Sequence, residues 1–249
     1  MKLTDNINSW TEDKDRLILY ADIMGFKDTI FSNTNADLKK RLLSFRKSFE
    51  MKIKPLRTGD YMRFVQFSDS IIIVVNGIDS KMVNLVTKAG IILMHEAMKA
   101  EFPIKGVLSQ GMFTYDEDNE LYFGRPLVNA SLLHDELYYY GIVVHHSAEK
   151  IIKNNISIDC PYMISSVNLK KGKTLHYHLI WNMMKKDLSP GNITDDATKW
   201  LEKIQESVSG APRIYIDNTI EIIKNDSEKF MTTLEVPSVT STSVSGYSV

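Results

Sequence analysis

The stretch RLILYADIMGFKD, Arg16 to Asp28, decides how this chain is read. Its first seven residues, Arg16 to Asp22, form a short apolar run with a polar end, which reads as a strand. Asp22 closes that strand. Gly25 follows three residues later and lets the backbone turn tightly there. Backbone amides exposed at such a turn, ahead of a helix, can cradle phosphates.

Outward from this strand the pattern alternates. Leu38, Leu42, Phe45 and Phe49 recur along one helix face. Arg63–Phe67 and Ser70–Val75 are two β-rich runs joined by Ser68-Asp69, the spacing of a tight hairpin. Met82, Leu85, Val86, Ala89, Leu93 and Ala97 mark a second amphipathic helix, which Pro103 stops. Two strands follow, Ile104–Gln110 and Glu120–Phe123, around the polar turn at 115–119. A helix is expected from about Leu127 to Tyr138, a strand over Ile142–His145 and a short helix over Ala148–Asn154. Tyr162–Val167 and Leu175–Leu179 are candidates to close the sheet. Beyond Pro190-Gly191, two helices over about 195–207 and 211–225 form a C-terminal extension. The order strand, helix, strand, strand, helix, strand is that of an α+β, ferredoxin-like βαββαβ core. The chain divides into a polar lead-in at 1–15, a core domain at 16–180, a helical extension at 181–235 and a flexible tail at 236–249. Five Ser, two Thr and one Gly among Ser238–Val249 support the last assignment.

Composition excludes several classes of protein. With 249 residues, 43% of them apolar, the chain can bury a sizeable core. A single Cys excludes a disulfide scaffold and a four-Cys zinc site. Thirty Lys+Arg against 31 Asp+Glu leave no broad basic surface for nucleic acid. No run reaches the roughly 18 apolar residues of a membrane span, and the N-terminus is too polar for a secretory signal. A cytoplasmic protein is expected, with neither membrane nor nucleic acid as partner. His145-His146 and His176-x-His178 attract notice as metal ligands. Neighbours in a strand point to opposite faces, so the first pair is not expected to share an ion.

The topology places two carboxylates together. In a βαββαβ sheet the first and third strands are antiparallel neighbours, so the end of one lies beside the start of the other. Asp22 and Asp69, 47 residues apart, should therefore meet at one edge. Two carboxylates there repel unless a cation lies between them. Hard oxygen ligands favour Mg2+ or Mn2+, and the Ile23 carbonyl could complete the shell. An Asp pair holding two such ions suits phosphoryl and nucleotidyl transfer.

At this point the sequence resembles the class III nucleotidyl cyclases. Tyr20–Phe26 is similar to their first metal motif, and Phe67-Ser68-Asp69-Ser70 stands where they have a Gly-Asp turn. Tyr122–Ala130 resembles their Gly-x-x-Val-Asn-x-Ala segment. The likeness spans about Arg16 to Asp135. Three departures stand out. Val65 replaces the Lys that reads purines, Leu121 replaces an acidic purine reader, and Leu133 replaces a transition-state Arg. This combination resembles the bacterial pyrimidine cyclases of Pycsar anti-phage systems. The resemblance implies a homodimer with composite active sites, and two divalent cations, Mn2+ or Mg2+. It implies conversion of UTP or CTP to the 3′,5′-cyclic monophosphate, a second messenger in antiviral defence. It further implies Asp22 and Asp69 as catalytic metal ligands with Ile23, and Gly25 and Phe26 against the triphosphate. Asn129 would orient the ribose, and with Leu133 in the Arg position the candidates for positive charge are Arg125, Lys105 or a Lys of the partner copy. Two alternatives stand beside this reading: an adenylate or guanylate cyclase with unorthodox base contacts, and a degenerate cyclase-like module that binds nucleotide without turnover.

Overall fold

The computed structural model describes residues 10–235. The first nine residues of the expected lead-in and the expected tail at 236–249 lie outside them. The strands are β1 (Lys14–Ile23), β2 (Met62–Phe67), β3 (Ser70–Val75), β4 (Ile104–Asp116), β5 (Leu121–Gly124), β6 (Gly141–Val144), β7 (Tyr162–Leu169) and β8 (Gly172–Leu179). The helices are α1 (Phe26–Ser32), α2 (Asn35–Ile53), α3 (Ser80–Lys99), α4 (Arg125–Glu136), α5 (His146–Lys153), α6 (Thr194–Gln205) and α7 (Ala211–Glu235). The strands form one sheet in the order β2-β3-β1-β4-β6-β8-β7, with β5 paired to β4. Its β2-β3-β1-β4 portion is the ferredoxin-like βαββαβ core, antiparallel throughout.

Alternation along β1 sorts its side chains between two faces. Leu17, Leu19, Ala21 and Ile23 join Ile71, Ile73 and Val75 in the main core, where α2 and α3 contribute Phe45, Phe49, Val86 and Leu93. Ile18, Tyr20 and Asp22 look the other way. That second face carries two smaller apolar clusters, one around Val107 and Tyr139, the other around Trp10 and Phe113. Arg16 also lies on this face and is fully buried. Its guanidinium is satisfied by Asn76 Oδ1 and the carbonyls of Phe113, Trp10 and Glu12.

Four elements depart from the sequence reading. Helix α1 gave no periodic signal, because only Phe26 of its seven residues is buried. Strand β4 runs on to Asp116 because β1, starting at Lys14, pairs with it as far as Phe113 and β5 pairs with it from Phe113 to Asp116. The strand expected to include His145 stops at Val144. His145 caps α5, and its ring lies 4.0 Å from that of His146. The argument from strand alternation therefore does not hold for this pair. Helix α7 continues ten residues past Asn225 because its later half is anchored by polar groups, which leave no apolar period to read. Asp226 is buried, its Oδ2 lies 2.8 Å from His178 Nε2, and its Oδ1 accepts from Ser165.

The C-terminal helices pack on the sheet. Trp200, Leu201, Ile216 and Ile223 belong to the main core. Asn218 donates to the Tyr138 carbonyl, and the Tyr140 amide donates to Thr219 Oγ1. Tyr215 stacks on Tyr138 and Tyr140.

Candidate active site

The antiparallel register brings the two carboxylates to one edge of the sheet. Asp22 pairs with Ser70 on one side and with Lys105 on the other. The Ile23 amide donates to the Asp69 carbonyl at 3.0 Å. Asp69 thus sits in the β2–β3 turn directly beside the end of β1, held there by a backbone bond that does not depend on its own side chain. The Ile23 side chain is buried in the main core, so only its backbone reaches this edge.

Asp22 is a half-enclosed carboxylate, its side chain 18% exposed. Tyr20, two residues earlier and so on the same face, donates its hydroxyl to Asp22 Oδ2 at 2.8 Å. His134, from the last turn of α4, places Nε2 3.6 Å from that same oxygen. Its ring meets Tyr20 edge-on, with centroids 5.3 Å apart. The other oxygen, Oδ1, is buried and has no hydrogen-bond partner. Burial pushes the Tyr20 hydroxyl up to about 12, so it remains a donor at neutral pH. Burial, reinforced by the nearby Lys105, pushes His134 down. The sequence reading missed both residues. For Tyr20 a signal existed, its i, i+2 spacing to Asp22. For His134 none did, since only the packing of α4 across β1 and β4 brings it here.

Lys105 is 3% exposed. Its ammonium donates to the Leu137 carbonyl at 3.3 Å and lies 5.4 Å from the Tyr215 ring centroid. Burial pushes it down to about 8, against the opposing pull of Asp135 and Asp22. The C-terminal helix thus supplies one wall of this lysine's surroundings. A cavity of ≈ 470 Å³ also runs between the Gly25 turn and the α6–α7 loop, with Tyr140 and Tyr215 in its lining.

Gly25 precedes α1 at φ 69, and an added Cβ would meet nothing, so the residue is required by its backbone conformation alone. The Phe26 ring lies in the main core. Its backbone, rather than its ring, is available for the turn's phosphate-cradling role. Asn129 and Arg125 are not brought to Asp22. They line a cavity with Asp13, Asp15 and Gln110, towards the opposite end of β1. At about 1.5 Å per helical residue, Asn129 and Arg125 stand about 8 and about 14 Å along α4 from His134, which reaches Asp22. Leu133 packs inward against the Val107–Ala130 cluster. In the hairpin, register puts Val65 on the face of Asp22 and Gln66 on the opposite face. Arg63 shares the face of Val65, but is engaged by Asp60 and Glu117 and lies over Trp10.

Among the described residues, no three His, Cys, Asp or Glu side chains converge as a metal cluster. A hard divalent cation does not need one. Mg2+ typically takes one or two carboxylates and completes its shell with water and substrate phosphates. The buried Asp22 Oδ1, without a hydrogen-bond partner, fits that use. An uncompensated carboxylate oxygen is otherwise costly at such a position. No helix among the described residues is long and apolar enough to cross a membrane.

No family model and no curated protein matches this sequence. Solved structures do. The adenylyl cyclase CyaB from P. aeruginosa superposes with a TM-score of 0.51 at 15% identity, covering 68% of this chain and 94% of its own. The guanylate cyclase domain of RhGC from Catenaria anguillulae, in complex with GTP, gives 0.52 at 15% identity, covering 68% and 97%. A dimeric guanylyl cyclase domain of the RhoGC fusion protein from Blastocladiella emersonii gives 0.52 at 14%, covering 68% and 97%. At these identities the likeness is one of fold. The α+β sheet is that of class III cyclase catalytic domains, and about a third of this chain lies outside the superposition.

Proposed function

We propose that this protein is a nucleotidyl cyclase that closes UTP or CTP to 3′,5′-cyclic UMP or cyclic CMP with release of pyrophosphate. The observation that supports the reading is the Ile23–Asp69 backbone bond, which brings Asp69 to the end of β1, next to Asp22 with its unpartnered oxygen. Asp22, Asp69 and the Ile23 carbonyl would hold two divalent cations, Mn2+ or Mg2+. Such ions lower the pKa of a 3′-hydroxyl and neutralise a triphosphate. The ribose 3′-oxygen attacks the α-phosphorus, and the bond to the β,γ-pyrophosphate breaks. The Gly25 turn offers backbone amides to the phosphates. Lys105 keeps a positive charge next to Asp22 when protonated.

Asn129 and Arg125 act, in this reading, from a second copy of the chain. One protomer holds them earlier on α4 than His134, in a cavity with Asp13 and Asp15, and a two-fold partner can present them to the other site. An exposed apolar stretch supports that partner: Met112, Phe123, Val128 and Leu132 are 54%, 57%, 58% and 64% exposed along β4, β5 and α4. Val65 supports the pyrimidine preference, since it leaves an apolar side chain on the Asp22 face where a purine reader would need a polar one. The role as an antiviral second-messenger synthase rests on the resemblance to the Pycsar cyclases. Leu133, packed inward, favours one second reading, a nucleotide-binding module without turnover.

The test is incubation of the purified protein with each nucleoside triphosphate and Mn2+, with product identification. Cyclic UMP or cyclic CMP is expected to dominate, and to vanish in Asp22→Ala and Asp69→Ala with the fold intact. A dominant cyclic purine would overturn the substrate assignment. Bound nucleotide without any product would favour the inert module. Full turnover by either variant would refute the two-cation site.

A further inference from the structure

We infer that Tyr20 and His134 are positioning residues that clamp one oxygen of Asp22, so that the other is presented to a divalent cation. The inference deepens the cyclase reading and rests on it.

The two oxygens of Asp22 have different surroundings. Oδ2 accepts the Tyr20 hydroxyl at 2.8 Å, and His134 Nε2 stands 3.6 Å away on the same oxygen. Oδ1 is buried and bonded to nothing. A carboxylate free to rotate about its last bond would exchange these surroundings. The Tyr20 hydrogen bond holds Oδ2 in place, and His134, beyond hydrogen-bond distance, stands over the same oxygen from α4 and hinders the exchange. His134 is only 5% exposed, and its Nε2 has no hydrogen-bond partner. On its other side, Nδ1 lies 3.6 Å from Asp135 Oδ1. The imidazole is thus set between two carboxylates, with its ring buttressed edge-on by Tyr20. Groups that orient a metal-binding carboxylate in this way commonly change metal affinity by about 10- to 100-fold when removed. The clamp joins β1 to the end of α4, so it also ties the cation site to the helix that carries Asn129 towards the partner copy.

The test uses Mn2+ alone as probe, with binding to the full-length protein followed by electron paramagnetic resonance. Tyr20→Phe keeps the ring and removes only the hydroxyl. His134→Phe keeps a ring and removes the nitrogen, whereas His134→Gln restores a nitrogen near the Nε2 position. Tyr20→Phe and His134→Phe are expected to weaken Mn2+ binding about tenfold or more, and His134→Gln to recover most of it. Cyclase assays on the same variants should show a raised Mn2+ requirement with a smaller change in kcat at saturating Mn2+. Native Mn2+ affinity in Tyr20→Phe and His134→Phe would overturn the inference. So would a His134→Gln variant as impaired as His134→Phe, which would mark the imidazole as packing only. Asp22→Asn separates the two levels. Mn2+ binding that depends on Asp22 and on the clamp, without any cyclic product, leaves the clamp standing and removes the cyclase. Native protein with no Asp22-dependent Mn2+ binding removes both.

Discussion

Replacing Lys105 with Met should make this protein more stable at neutral pH. The ammonium is buried on the sheet face beside Asp22, and burial pushes its pKa from 10.5 down to about 8. That fall corresponds to about 3 kcal/mol, at about 1.4 kcal/mol per tenfold change. Relaxation of the surroundings and water penetration reduce the usable part to about 1–2 kcal/mol. The sign follows from proton counting. Below pH 8, Lys105 is charged both folded and unfolded, and the full cost of burying the charge is present. Between pH 8 and 10.5 the folded chain has lost a proton that the unfolded chain keeps, so stability rises with pH. Met has similar length and no charge, and escapes the cost throughout. Urea unfolding at fixed protein concentration, in EDTA, at pH 7, 8.5 and 10, reads the difference. Lys105→Met should be more stable by about 1–2 kcal/mol at pH 7, the gap closing towards pH 10, while cyclase activity falls. A variant no more stable than native at pH 7, or a gap that stays constant with pH, would refute the reasoning.

Three further outcomes are expected. His178→Ala leaves the buried Asp226 with only Ser165 on its other oxygen and should cost about 3 kcal/mol, seen as a large fall in Tm, with α7 the first element to lose amide-exchange protection. Gly124→Ala would bring a Cβ to 2.5 Å from the Met112 carbonyl at φ 156. It should destabilise by at least about 2 kcal/mol and disturb the entry to α4; a near-native urea midpoint would contradict this. If the proposed two-fold partner uses the exposed face of α4, Leu132→Asp should leave the protomer folded but yield monomer in sedimentation velocity where the native chain is a dimer. Unchanged self-association would remove that face from the dimer contact.

Much of the fold was legible along the chain because its elements bury apolar side chains at regular intervals. The β2–β3 hairpin matches its expected limits to within a residue, and α2 and α3 bury most of the residues whose spacing marked them. Where burial is irregular or polar, the pattern fails. Helix α1 buries one side chain, and the second half of α7 is held by Asp226 and Ser227. The candidate site divides in the same way. The meeting of Asp22 and Asp69 follows from strand order, because antiparallel neighbours must bring the end of one strand to the start of the next.

The rest depends on the third dimension. Pairing with β3 puts Arg63 and Gln66 of the hairpin on opposite faces of the sheet. The Phe26 ring went to the core because the turn at Gly25 swings the first residue of α1 inward. His134 reaches Asp22 only because α4 crosses β1 and β4, 112 residues further along the chain. Lys105 acquires its low pKa only when Leu137 and Tyr215 close over it. The sequence by itself determined the strand order, the hairpin and the carboxylate pair, because these follow from local periodicity and short connections. Tertiary structure alone decided what surrounds each carboxylate oxygen, because burial and long-range packing are properties of elements brought together from distant parts of the chain.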